Sequence, residues 1–123
     1  MILDAGFLTS VDRSETTAHA FLAAANRSQT SLHTTHPVVA QVWRGPRQAR
    51  LGAFLAAIEI HPFDDGRAVG RLLSQTRTAD VVDAHLVICA VRLGHGILSG
   101  DADDLTALAA VLGPAAPEIH RWP

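Results

Sequence analysis

Apolar runs of strand length recur along this chain, and stretches with helical periodicity separate each from the next. The strand candidates are Ile2-Leu3, the poor run SLHTTHP (31–37), EIHPF (59–63), GILS (96–99) and EIHRW (118–122). An Ala-rich helix starts at Ser14 or Glu15 and carries Ala18, Phe21, Leu22 and Ala25 at helical spacing. Pro37 serves as the first helical residue of PVVAQVWR, and Pro46 breaks that helix. RQARLGAFLAAI (47–58) puts Leu51, Phe54, Leu55 and Ile58 on one face. Asp64 is placed to cap a helix through Val69, Leu72 and Leu73. DVVDAHLVICAVRLG (80–94) is the most apolar helix and ends at Gly94, and DADDLTALAAVL (101–112) reads as a capped helix before a last edge strand. The order β-α-β-α-α-β-α-α-β-α-β leaves few solutions. Strands separated by crossovers pair in parallel, and helices then cover both faces of the sheet. The expected fold class is α/β, a parallel central sheet of four to five strands flanked by helices on both faces, in one domain spanning 1–123. Functional groups in such sheets gather beyond the C-terminal ends of the strands.

Composition narrows the setting. Hydrophobic residues make up 48% of the chain, enough for a core without staples. The single cysteine, Cys89, excludes an intramolecular disulfide and suits a reducing cytoplasm. No run reaches the roughly 18 apolar residues of a membrane span. MILDAGFLTSVDR has no basic region of the kind that opens a signal peptide. A cytoplasmic protein with no membrane partner is therefore expected. The formal net charge is −2, and all 10 basic residues are Arg. With so much Ala and Gly this reads as the coding bias of a GC-rich, bacterial genome; the alternative is Arg selected for bidentate phosphate contacts.

The acidic residues carry the chemistry. Asp4 ends the first strand, and Asp101 follows GILS after one glycine, so both belong at the C-terminal edge of the sheet. Asp80 and Asp83, three apart, share a face at the start of the apolar helix. If the two strands are neighbours, Asp4, Asp83 and Asp101 face one crevice, with Asp104 in the first turn of the next helix. Helix capping alone accounts for many an Asp at a helix start, and Asp80, Asp103 and Asp104 are each open to that reading, Asp103 most of all. Asp4 is not. A carboxylate at the end of a buried central strand is unfavourable unless something compensates it. Asp83 runs directly into AHLVICAV and has the same difficulty. The chain has no Lys to pair with either. Hard oxygen donors without a protein cation select Mg²⁺ or Mn²⁺. A calcium loop is excluded, because Thr106 and Leu112 stand where an EF-hand needs Gly and Glu. An acid-lined Mg²⁺ crevice suits phosphoryl chemistry. A phospho-aspartate at Asp4 would ordinarily need a Lys to hold the phosphoryl group.

Three segments, LDAGFL (3–8), DVVDAHLVICA (80–90) and ILSGDADDL (97–105), in this order and with 18 residues from Asp83 to Asp101, resemble the PIN-domain ribonucleases, in particular the VapC-type toxins of bacterial toxin–antitoxin pairs. The resemblance covers nearly the whole chain. It implies a PIN-like fold and Mg²⁺-dependent RNA cleavage, with Asp4, Asp83 and Asp101 as metal-binding and catalytic acids. In the same way it implies supporting roles for Asp104, for Ser99 near the metal and for Asp80 one turn before Asp83. It further implies a cognate antitoxin and a homodimer, for which Trp43, Phe54 and Leu55 are the apolar surface candidates.

The chain departs from that pattern at Gln41, which occupies the place of a Glu in the helix after the second strand. An amide oxygen binds metal weakly and supplies no charge. Either the aspartates suffice, with Asp80 or Asp104 compensating, or the domain is a catalytically weak or inactive binding or regulatory module. Gly6 likewise replaces a residue that is often polar. Arg44, Arg47 and Arg50, three apart, form either a phosphate-tracking patch at the groove mouth or a solvated helix face. The seven histidines look dispersed, His85 is not expected to be a ligand, and Cys89 reads as core.

Overall fold

A computed structural model describes residues 1–123. The chain forms five strands, β1 (Ile2–Leu3), β2 (His33–Thr35), β3 (Glu59–His61), β4 (Ile97–Ser99) and β5 (Ile119–Arg121). Seven α-helices join them: α1 (Ala5–Asp12), α2 (Thr16–Arg27), α3 (His36–Val42), α4 (Ala49–Ala57), α5 (Gly66–Thr76), α6 (Val81–Leu93) and α7 (Ala102–Ala109). All strand pairs are parallel, and the sheet order is β3-β2-β1-β4-β5. Every residue of β1, β2 and β4 is buried. Successive strand residues point to opposite faces, so helices must cover both. This is the α/β architecture expected from the alternation.

β1 lies at the centre because Ile2 and Leu3 are fully buried and flanked on both sides, with Ile2 in register with His33 and with Ile97. The chain lays β2 and β3 to one side of β1, then crosses back to lay β4 and β5 on the other. The strand order therefore reverses between β1 and β4, and a crevice opens beyond their C-terminal ends.

The core is one contiguous cluster that includes Phe7, Leu8, Leu51, Leu86, Ile97 and Leu105. Phe7 makes edge-to-face contacts with Phe21, Phe54 and Trp122, at centroid distances of 5.1, 6.1 and 4.8 Å. Trp122 is pinned by a 3.0 Å hydrogen bond from its Nε1 to Ser10 Oγ. These contacts tie edge strand β5 to α1 and α2.

Several local expectations need correction. Helix α1 was not expected; residues 5–12 follow β1 directly, and the Asp4 carboxylate accepts from the Gly6 amide at 3.0 Å as their cap. Asp64 does not cap α5. Asp65 holds the cap position in a left-handed conformation with no side-chain bond, and Asp64 instead accepts from Arg92 at 2.9 Å. The C-terminal helix ends at Ala109 and continues as a 3₁₀ turn to Ala115, and Asp101 at its head makes no capping bond. Strand β3 stops at His61, because Pro62 has no amide for the ladder. No helix is long and apolar enough to cross a membrane.

Candidate functional site

The site is assembled where β1 and β4 end. Asp4 follows β1 and is nearly buried, 7% exposed. One of its oxygens accepts from the amides of Gly6 (3.0 Å) and Gly100 (3.4 Å); the other accepts from the Ser99 hydroxyl. Ser99 ends β4, is fully buried, and its oxygen accepts from the Asp101 amide at 2.8 Å. A single hydroxyl thus fixes both the Asp4 carboxylate and the backbone that carries Asp101. Space is tight where α1 begins: a Cβ on Gly6 would stand 3.2 Å from Gly100 Cα. That contact accounts for Gly6 in a place where a polar side chain was the expectation.

Helix α6 brings the next acids. Its N-terminus lies at the same edge of the sheet, and Asp80 caps it by accepting from the Asp83 amide at 3.0 Å. Asp83 itself is half-buried in the first turn. Asp4, Asp80, Asp83 and Asp101 line one open groove together with Ala5, Val38, Gln41 and Arg44. Gln41 arrives because β2 runs straight into α3, whose start is capped by Thr35 Oγ1 accepting from the Val38 amide at 3.3 Å.

Electrostatics in the groove are unfavourable for ionised carboxyls. Burial, above all, raises the Asp4 carboxyl above its ordinary value despite its hydrogen bonds. Asp83 is pushed up to about 7, first by burial, then by Asp80, and further by Asp4 and Asp101. None of Asp4, Asp80, Asp83, Asp101 or Asp104 has an ion-pair partner; the pairs in the chain go to Glu59, Asp64, Asp65, Asp103 and Glu118. Arg44, the one cation lining the groove, is committed to the C-terminal carbonyls of α3. It donates to Ala40, Gln41 and Trp43 at 3.1, 3.0 and 2.7 Å. The donor set is therefore all oxygen, rich in charge and short of counter-charge, which fits a hard divalent cation such as Mg²⁺ or Mn²⁺. The carboxylates stand more widely spaced than a closed ligand cage. The one set of three such residues whose ligand atoms all lie within 4.8 Å of one another is a different group, His33, Glu59 and His61.

The other sequence candidates disperse around this centre. Asp104 lines an adjoining groove that shares Asp80 and Asp83 and adds Thr76 and Thr78. Asp103 does not cap; it is exposed and pairs with Arg121 at 2.7 Å. Of the arginine triplet, Arg44 lines the groove, Arg47 sits in the turn before α4, and Arg50 borders a second depression with Val11, Ala18, His19, Leu22 and Phe54. Of the surface candidates, Trp43 is exposed, whereas Phe54 and Leu55 pack against the core. His85 and Cys89 are both buried in α6, and Asp64 Oδ1 stands 3.5 Å from His85 Nε2 without good hydrogen-bond geometry. The cluster missed in the sequence is His33, Glu59 and His61, since residues 28 apart carry no local signal of their meeting.

No protein-family model matches the chain, and no curated protein does. Among solved structures, it is similar to a chain in the crystal structure of VapBC2 from Rickettsia felis bound to a DNA fragment from their promoter. The match has a TM-score of 0.67 at 13% identity and covers 99% of this chain and 98% of that one. The two chains share a fold. It is the PIN-like fold expected from the sequence, and the likeness extends over essentially the full length of both.

Proposed function

We propose that this chain is a Mg²⁺- or Mn²⁺-dependent endoribonuclease, the VapC-type toxin of a toxin–antitoxin pair. The observation that carries the reading is the convergence of Asp4, Asp83 and Asp101, from three separate elements, on one groove in which no protein cation pairs with them. A bound divalent cation supplies charge neutralisation at a phosphodiester and a water of lowered pKa. Asp4, Asp83 and Asp101 would hold it. Ser99 keeps Asp4 in a single orientation, and Asp80 supports Asp83 from the cap of α6. The groove is open, which suits a polymer crossing it. Arg44 at its wall has two guanidinium N–H groups beyond those bound to α3, and these can meet a phosphate. The shared fold with a VapBC2 chain supports an antitoxin partner here, and exposed Trp43 is the place to look for a homodimer contact.

The test is cleavage of labelled RNA, beside a DNA of the same sequence, with Mn²⁺ present. Wild type should cut the RNA, while Asp4→Asn and Asp83→Asn, shown folded by circular dichroism, should lose at least about 100-fold in rate. Wild-type rates in either variant would remove these residues from the site.

One observation favours a second reading, a catalytically weak or inactive module: the α3 residue in the groove is an amide, Gln41. Gln41→Glu separates the two. Under the nuclease reading with a weakened site, it tightens Mn²⁺ binding and raises the cleavage rate. If wild type neither binds Mn²⁺ at millimolar concentration nor cuts RNA, the module is the better description.

A further inference from the structure

His33 and Glu59 open β2 and β3, at the edge of the sheet opposite the acid groove, and the strand register sets them side by side. His61, two residues along β3, projects to the same face as Glu59. The His33 Nδ1 atom stands 3.0 Å from His61 Nε2 and 3.4 Å from Glu59 Oε2. One donor atom from each of the three residues lies within 4.8 Å of the other two. Donors bound at about 2.05 Å to a tetrahedral zinc sit about 3.3 Å apart, close to the 3.0 and 3.4 Å separations seen here.

The surroundings fit as well. Ser31 Oγ lies 3.1 Å from His33 Nε2. In the tautomer that donates Nε2–H to Ser31, the lone pair is left on Nδ1, the atom that faces His61 and Glu59. His33 and His61 are 8% and 9% exposed, which holds their rings in place, while exposed Glu59 contributes negative charge. His33 and Glu59 also border a surface groove of about 450 Å³, a route by which an ion can enter.

We propose that His33, His61 and Glu59 form a second metal site, separate from the acid groove, that takes a borderline transition ion of the zinc class and ties edge strand β3 to β2. Imidazole selects such ions, whereas the all-oxygen groove selects Mg²⁺ or Mn²⁺, so the two sites separate by ligand chemistry.

The experiment is calorimetric titration of the full, tag-free chain with Zn²⁺ alone, in wild type, Glu59→Gln, His61→Gln and Asp4→Asn. The tighter of any Zn²⁺ equivalents should bind wild type and Asp4→Asn alike, and its affinity should fall at least about tenfold in Glu59→Gln and His61→Gln. Co²⁺ should show the visible absorption of a low-coordinate site in wild type and lose it in both variants. Because Glu59 is exposed, Glu59→Gln remains informative if His61→Gln fails to fold. Three results would overturn the site: no binding by wild type at micromolar Zn²⁺, affinity unchanged in Glu59→Gln, or binding abolished in Asp4→Asn. In the first case the three side chains only hydrogen-bond to one another.

Discussion

At the scale of single residues, the groove is a place where stability is given up. Asp83 has a folded-state value of about 7, well above the unfolded carboxylate range near 4. The sign follows directly. The folded state binds this proton more tightly than the unfolded state, so the contribution is complete below about pH 4 and is lost as pH rises through about 7. Metal-free protein should therefore melt at progressively lower temperature from about pH 4 to about 7 by calorimetric scan, other groups aside. Adding Mn²⁺ should reverse the loss, with a larger upward shift in melting temperature at pH above that range than below it. Asp83→Asn removes the charge outright. It should raise the metal-free melting temperature at alkaline pH and abolish the Mn²⁺-induced shift, a gain in stability at the expense of the site. An unchanged melting temperature in that variant would show that the carboxylates do not strain one another. Gly6→Ala tests the turn behind Asp4. The new methyl would crowd Gly100 Cα at 3.2 Å, and a loss of about 1–3 kcal/mol in urea denaturation, with a weaker Mn²⁺ shift, is the expected result. Asp4 and Asp83 were legible in the sequence for the same reason that makes them unfavourable, since each sits beside apolar residues without a Lys in the chain.

Among the elements, α1 is the most instructive. Its sequence, AGFLTSVD, lacks an evident start because the residue that caps it, Asp4, is also the acid at the strand end. One side chain thus ends β1, begins α1 and enters the groove. The helix then buries Phe7 completely against rings from α2, α4 and the C-terminal segment. Phe7→Ala should cost about 3–5 kcal/mol in chemical denaturation, because three aromatic neighbours on separate elements cannot all collapse into the space. A change below about 1 kcal/mol would mean that these elements repack freely. Helix α6 behaved as its sequence suggested, with a start at Asp80 and a stop at left-handed Gly94. The start of α5 did not. Asp64 reads as the cap, but Arg92 on α6 binds the carboxylates of Asp64 and Asp65 at 2.9 and 2.7 Å, and ion pairs across 28 and 27 positions leave no local trace.

For the whole molecule, the parallel sheet keeps two sets of donors apart. Carboxylates collect beyond the C-terminal ends of β1 and β4, whereas His33 and His61 meet on β2 and edge strand β3. One contiguous core joins them, so unfolding should be a single cooperative transition. Near-ultraviolet dichroism, which reports buried Trp122, and far-ultraviolet dichroism should give the same midpoint; separate midpoints would show that the β5 edge unfolds on its own. The groove also has consequences at this scale. With a net charge of −2 and its acids clustered, the metal-free chain should bind RNA poorly, and Mn²⁺ should strengthen binding to Asp4→Asn far less than to wild type in a filter-binding assay.

The alternation of short apolar runs with helical periods determined by itself that the sheet is parallel and two-sided. It also placed Asp4 and Asp101 at strand ends, because those signals lie between residues a few positions apart. Which strands are neighbours was decided only by the tertiary structure. The order β3-β2-β1-β4-β5 puts the reversal between β1 and β4, and so brings Ser99 to Asp4 across 95 residues of chain. The same order draws Gln41 and Arg44 into the groove and gathers His33, Glu59 and His61 on β2 and edge strand β3. Propensity and periodicity are properties of nearby residues. The meeting of distant side chains depends on strand pairing and core packing, whose energies belong to the assembled molecule.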